Sequence, residues 1–314
     1  MRTIAVVTST NGTVDCHSPA MHSAPRALRR AVAAASIALL ATAVGCAPQP
    51  EDDASAKASA PTGNACAKGK LATKTSGKLT VATDEPAYEP WFKDDKPANG
   101  KGFESAVAYA VAKQLGYDKS AVAWQSVPFN KAFAPGEKTF DFDINQVSIS
   151  AERKKAVDFS SGYYDVRQAV IALKGSKAAK AKSIADLKGL KLGAQVGTTS
   201  LNYIQDVVKP TREAAAYAKN DQAKSALENK QVDAIVVDLP TAFYITAAEV
   251  TDGTIVGQFE NQGGTPEQFG LVLDKGSALT SCVTEAVDAL RKDGTLAKLE
   301  QQWLSDAVDA PVLK

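Results

Sequence analysis

The chain has 314 residues, with 36 basic and 35 acidic side chains and two histidines, His17 and His22. So balanced a charge gives no basic excess for nucleic-acid binding. Both histidines fall in the leader described next, so the folded part cannot use a Ser-His-Asp or Cys-His site or a histidine-ligated metal; no metal and no cofactor is expected.

Residues 1–45 read as a leader. Arg26, Arg29 and Arg30 precede a small-apolar run from Ala31 to Val44, and Ala43-Val44-Gly45 leads into Cys46. A basic region, a short apolar core and small residues before a cleavage point describe a secretory signal. Met21 is the expected start, since it leaves 25 residues up to Gly45, inside the usual ~15–30. The apolar run is shorter than the ~20 residues that a bilayer span needs. A cysteine directly after the small residues resembles the lipobox of bacterial lipoproteins, with Ala43 where leucine is usual. That resemblance implies that Cys46 carries a lipid and anchors the protein to the cell membrane. Removing the leader takes away four arginines and one aspartate, leaving 32 basic and 34 acidic side chains and a formal charge of −2.

Cys16 lies upstream of Met21, so Cys66 and Cys282 remain as an even pair in an oxidising compartment. They are expected to be bonded, with two free buried thiols as the alternative. Ala47 to Ala65 contains no aromatic or β-branched aliphatic residue and is expected to be a disordered tether; residues 46–77 are taken as the linking segment.

The folded region begins near Lys78. Leu79 to Thr83 is expected as a strand ended by Asp84-Glu85-Pro86. Phe103, Ala106, Val107, Ala110, Val111 and Leu115 share one helical face, closed by Gly116. Val122 and Trp124 suggest a strand, and Phe140 to Ile144 another, together arguing for a parallel α/β sheet. A second set follows, with Gln168 to Leu173 as a strand and Ser183 capping a helix with Asp186. Leu190 to Val196 is a strand leading through Gly197-Thr198-Thr199 to a helix over Leu201 to Val208. Asp221 to Asn229 is helical, Asp233 to Val237 is a strand ending at Asp238, and Pro240 opens a helix. Thr254 to Phe259 and Phe269 to Leu273 are strands, and helices over Ser277 to Asp293 and Thr295 to Leu304 end the chain. About 235 residues in two α/β sets suggest two lobes.

Open parallel sheets bind ligands beyond their strand ends. Four such ends carry polar side chains: Asp84, the corner Gln146-Ser148-Arg153, Thr198-Thr199, and Asp238. Arg153 offers a two-pronged contact to a carboxylate and Asp238 a counter-charge to an ammonium, a combination suited to an α-amino acid. The alternatives are a solvated charge run over Glu152-Arg153-Lys154-Lys155 and plain helix capping by Asp238 and by Thr198-Thr199.

The stretches LTVATDEPAYEPW, GKGFESAVAYAVAKQLG, FDFDINQVSISAERKKAVDFSSGYY, SIADLKGLKLGAQVGTTS, VDAIVVDLPTAFY and RKDGTLAKLEQQWL occur in that order. Together they make the chain resemble the family-3 extracellular solute-binding proteins, the polar amino-acid-binding components of ABC transporters. The resemblance implies that Arg153 binds the ligand α-carboxylate with Ser148 and Thr198 or Thr199, and that Asp238 receives the α-ammonium. Tyr88 and Trp91 would line the side-chain pocket, Asp84 would set selectivity, and Phe129 would be a pocket wall or a core residue. Gln146 departs from the small residue common at its position, and Asp158 is expected to be structural.

The implied fold is α/β, two-lobed and type II, with lobe 1 over 78–165 and 267–314 and lobe 2 over 166–266, joined by crossing strands near Val166 and Gln262. The implied function is capture of a free polar or basic amino acid, outside the cell, by a monomeric non-enzymatic lipoprotein that delivers it to a transporter permease. An amino-acid-sensing domain and a small dehydratase-like enzyme on the same fold are the alternatives.

Overall fold

The computed structural model describes residues 66, 67, 69–305 and 310–314. The expected signal, the Cys46 lipid site and the tether over 47–65 lie outside the described residues. The strands are β1 (Leu79–Thr83), β2 (Val122–Ser126), β3 (Phe142–Asp143), β4 (Val157–Val166), β5 (Gln168–Leu173), β6 (Leu192–Gln195), β7 (Ala215–Tyr217), β8 (Ala234–Asp238), β9 (Gly253–Phe259), β10 (Glu267–Asp274) and β11 (Val312–Leu313). The helices are α1 (Phe103–Gln114), α2 (Phe129–Ala132), α3 (Arg153–Ala156), α4 (Ile184–Leu187), α5 (Thr199–Asn202), α6 (Asn220–Glu228), α7 (Leu239–Tyr244), α8 (Thr280–Lys292) and α9 (Thr295–Leu304).

Two sheets form, in the orders β2-β1-β3-β10-β4 and β11-β9-β5-β8-β6-β7. In lobe 1, Leu79 and Val81 of β1 meet Phe103, Val107 and Val111 of α1 and Val283 and Val287 of α8 in one core. In lobe 2 both faces of the sheet are covered. Val170 and Ala172 of β5 face one cluster, whereas Ala169 and Ile171 face another. A strand covered on both faces reads as a continuous apolar run, which is why β5 was legible. The capping box at Ser183 and Asp186 is present, the Asp186 N–H donating to Ser183 Oγ at 3.3 Å and the Ser183 N–H to Asp186 Oδ2 at 3.0 Å.

The disulfide joins Cys66 to Cys282 across 216 residues. It fastens the start of the described chain to α8.

Several expectations are corrected. The sheets are mixed: β10 runs antiparallel to β3 and β4, and β5 runs antiparallel to β8 and β9. The cause is the double passage between lobes, since β4 leaves lobe 1 where β10 returns to it, in the opposite direction. β4 itself had no clear alternation, because Ser160, Ser161 and Gly162 interrupt its apolar residues. Residues 70–77 belong with lobe 1 rather than the tether, as Leu71 packs on its core and the Lys74 N–H donates to Asp141 Oδ1 at 2.7 Å. Finally, the last residues do not stay in lobe 1. β11 pairs parallel with β9, the Gln258 N–H donates to the Pro311 carbonyl at 2.8 Å, and Leu313 is buried in the lobe 2 core.

Candidate ligand-binding cleft

A narrow cleft of about 30 Å³ lies between the two lobes. Asp84 and Tyr88 reach it from the segment after β1, Phe129 from α2, Gln146 and Ser148 from the corner after β3, and Arg153 from α3. Thr198 enters from the N-cap of α5, Thr199 from its first residue, and Asp238 from the end of β8. Three further lining residues, Asn145, Gln195 and Asn220, were not singled out from sequence. They are common polar types at unremarkable positions, and only the closing of two sheets puts them at one place.

Arg153 is not part of a solvated charge run. Its Nη1 donates to the Ser148 carbonyl at 2.7 Å and its Nη2 to the Gly197 carbonyl of lobe 2 at 2.8 Å. The guanidinium carbon lies 4.3 Å from the Phe133 ring centroid and 5.8 Å from that of Phe129. Burial brings its pKa down to about 10, so it remains a cation at neutral pH. A guanidinium has five N–H donors, which leaves some for a carboxylate. Gly197 sits at φ 79°, and a Cβ there would lie 2.0 Å from Asn130 Oδ1 of lobe 1. The positive φ favours glycine at this turn, whereas the exposed Asn130 side chain could move aside from a Cβ.

Ser148 is buried, and its Oγ donates to Glu267 Oε1 at 2.6 Å with Thr199 Oγ1 3.3 Å away. Gln168, at the start of β5 and fully buried, ties these groups to Asp238. Its Nε2 donates to Asp238 Oδ1 at 2.8 Å and lies 3.3 Å from both Thr199 Oγ1 and Glu267 Oε2, while its Oε1 accepts from Ser200 Oγ at 2.5 Å. Burial, and then the neighbouring Glu267 carboxylate, push Asp238 up to about 7. The Asp238 side chain makes no capping bond to α7, so the capping alternative does not account for it. Thr198 does cap α5, its Oγ1 accepting from the Leu201 N–H at 3.2 Å, which leaves Thr199 as the hydroxyl aimed into the network. Gln168 escaped sequence reading because it looked like an ordinary strand residue, and Glu267 because it fell just before the expected strand Phe269 to Leu273.

Trp91 lies outside the cleft. It is fully buried, packs edge-on against Phe103, Tyr164 and Phe269, and donates from Nε1 to Thr241 Oγ1 of lobe 2 at 2.9 Å. A large aromatic beside the two lobe junctions buries more surface there than in an open pocket. Phe129 both lines the cleft and packs in the small cluster with Val147, Val157 and Val272. Asp84 is held in place by the Glu85 N–H at 2.7 Å and the Phe129 N–H at 3.2 Å. Asp158 accepts from Lys275, Gly276 and Thr280, a structural role remote from the cleft. Gln146 takes φ 50°, which explains why a small residue suits its position. Among the described residues, no group of three or more His, Cys, Asp or Glu is arranged to hold a metal ion.

Residues 79–306 match the bacterial extracellular solute-binding proteins, family 3. The L-cystine-binding protein TcyJ of Escherichia coli (strain K12) is 30% identical over 233 residues, covering 73% of this chain and 84% of that protein. A solved ancestral arginine-binding protein bound to arginine aligns with a TM-score of 0.60 at 32% identity, covering 72% of this chain and 98% of that one. The ancestral amino acid-binding protein AncCDT-1, a precursor of cyclohexadienyl dehydratase, aligns at 0.59 with 30% identity over 73% of this chain and 95% of that one. The two sheets and their helices share with these neighbours the two-lobed type II fold of periplasmic amino-acid-binding proteins.

Proposed function

The chain belongs to the bacterial extracellular solute-binding proteins of family 3, and on that premise we propose that it captures a free polar or basic amino acid between its lobes and delivers it to an ABC importer. The observation that carries this reading is the placing of one half-buried cation, Arg153 of lobe 1, and one half-buried carboxyl, Asp238 of lobe 2, on the same narrow cleft. A zwitterion satisfies both. Thr199 and Ser148 stand beside Arg153 to share the α-carboxylate, and Gln168 holds Asp238 for the α-ammonium.

Asp84 is then the charged group left for the side chain, with Tyr88, Asn145, Gln195 and Asn220 around it. That lining suits a cationic or amide side chain and disfavours an acidic one. Micromolar binding needs about −8 kcal/mol, and a charged hydrogen bond supplies roughly 1.5–3 kcal/mol. Contacts from one lobe alone do not reach this figure, so binding favours the closed arrangement that brings both lobes to the ligand.

We further place the protein outside the cytoplasmic membrane as a monomer held by a lipid on Cys46, with the transporter permease as its partner. Mass spectrometry of the mature N-terminus tests the anchor directly.

One observation favours a second reading. A carboxyl pushed to about 7 inside a cleft is what acid–base catalysis uses, and AncCDT-1 is described as the precursor of a dehydratase. In the binding reading Asp238 is instead engaged by the ligand's ammonium. Calorimetry of the soluble domain from Ala47 against the twenty amino acids and L-cystine separates the two. We expect micromolar or tighter binding of a basic or amide amino acid, recovered unchanged after incubation. Absence of binding across the set, or turnover of the ligand, would overturn the proposal.

A further inference from the structure

Among the described non-glycine residues at positive φ, namely Asp94, Asp95, Gln146, Lys209 and Lys230, Gln146 is the one that lines the cleft. An L-residue with a long side chain is strained in that conformation, so something must hold it there. Glu104, in the first turn of α1 and fully buried, does so with a single carboxylate. Its Oε1 accepts from the Gln146 N–H at 2.7 Å, its Oε2 from Gln146 Nε2, and Tyr163 Oη donates to Oε1 as well.

Two of the three donors on Glu104 thus come from the one strained residue. The backbone bond fixes the direction of the Gln146 peptide, and the amide bond ties its side chain to α1. A small residue needs only the first bond; the longer side chain found here uses both. The acidic groups facing Glu104 are Asp143 of β3, fully buried, and Asp238 across the cleft. Among the described residues no salt bridge involves Glu104, so its buried carboxyl is matched by neutral donors, two from Gln146 at the cleft corner and one from Tyr163 of β4.

We propose that Glu104 is a positioning residue for ligand binding, acting through Gln146 by pinning that residue in its left-handed conformation and so setting the shape of the cleft floor. The role rests on the reading of the cleft as an amino-acid site.

The test is a double-mutant cycle on the soluble domain with E104Q, Q146G and E104Q/Q146G, because glycine takes this φ without strain. L-arginine is the calorimetric probe, and amide hydrogen exchange at position 146 is read in parallel without ligand. E104Q should weaken L-arginine binding about tenfold, a change of ~1.4 kcal/mol, and should lower protection of the Gln146 amide. Whatever Q146G does by itself, E104Q should cost much less in the Q146G background. Equal E104Q effects in both backgrounds, or an E104Q Kd within twofold of wild type, would overturn the proposal. Should E104Q fail to fold, Gln146→Met removes only the amide donor and is expected to weaken binding severalfold; a wild-type Kd there counts against the proposal. If the wild type binds no amino acid, the functional reading falls, while unchanged amide protection in E104Q would separately refute the pinning.

Discussion

Lowering the pH should weaken ligand binding, through Asp238. Without ligand this carboxyl is pushed up to about 7 by burial and by Glu267, and the Gln168 amide at 2.8 Å only partly offsets those effects. An α-ammonium placed against it favours the charged form and returns the pKa towards the ordinary carboxylate range. Below about pH 7 the free protein therefore carries a proton that binding must expel. For one linked proton the Kd rises up to tenfold, or about 1.4 kcal/mol, per pH unit. From pH 7 to pH 5 the affinity should fall on the order of 100-fold. The sign for folding is opposite. A carboxyl with a raised folded pKa keeps its proton when the unfolded chain has lost its own, so ligand-free stability should decline as pH rises from about 4 through 7. Calorimetry with L-arginine, in buffers of different ionisation enthalpy, reads the released proton: near one at pH 5.5, about half at pH 7, and close to none at pH 8.5. Asp238→Asn should flatten the profile as well as weaken binding. A wild-type Kd that does not change between pH 8 and pH 5.5, with no proton exchanged, would refute the reasoning.

Arg153→Ala should cost one or more charged hydrogen bonds, roughly 1.5–3 kcal/mol each, and so weaken amino-acid binding at least tenfold by calorimetry; unchanged affinity would remove Arg153 from the site. Gly197→Ala strains a backbone at φ 79° and should weaken amino-acid binding severalfold by calorimetry; unchanged affinity would show that glycine is not needed at this turn. Leu313→Ala should destabilise the lobe 2 core by about 2–4 kcal/mol in denaturant melts, since Leu313 is 2% exposed. A wild-type midpoint there would show that the β11–β9 pairing is dispensable. Reducing Cys66–Cys282 opens a 216-residue loop and should cost up to about 5 kcal/mol in the chain-entropy model. Thiol titration under denaturing, non-reducing conditions should find neither sulfur reactive.

Legibility followed the range of the interactions involved. The helix Thr295–Leu304 was read to the residue, because Gly294 marks its start and its buried face repeats with helical period. β5 was equally clear, being an apolar run closed by a turn at Lys174-Gly175. β4 was not, since its partners in β10 lie 101 to 117 residues further on and Gly162 is there to make room for the Gln268 side chain. Within the site, Arg153 and Asp238 were recognisable as charges at strand ends. Glu104 was invisible as anything but a helix residue, because its partner Gln146 is 42 positions further on. Trp91 was misplaced for a related reason: an aromatic near a cleft can face the ligand or the lobe junction, and only its neighbours decide which.

By itself, then, the sequence determined the chemical inventory. It supplied a cation after a polar corner, an acid at a strand end, hydroxyls at a helix start, and two cysteines expected to pair, with free thiols as the alternative. Local periodicity and turn chemistry were sufficient for most elements. Tertiary structure decided what each group does. It closed Arg153 onto the Gly197 carbonyl, set Gln168 between Asp238 and Glu267, and carried β11 back to lobe 2. Such contacts join residues far apart along the chain, and their energies depend on how two sheets meet, a matter on which no local pattern of residues carries a signal.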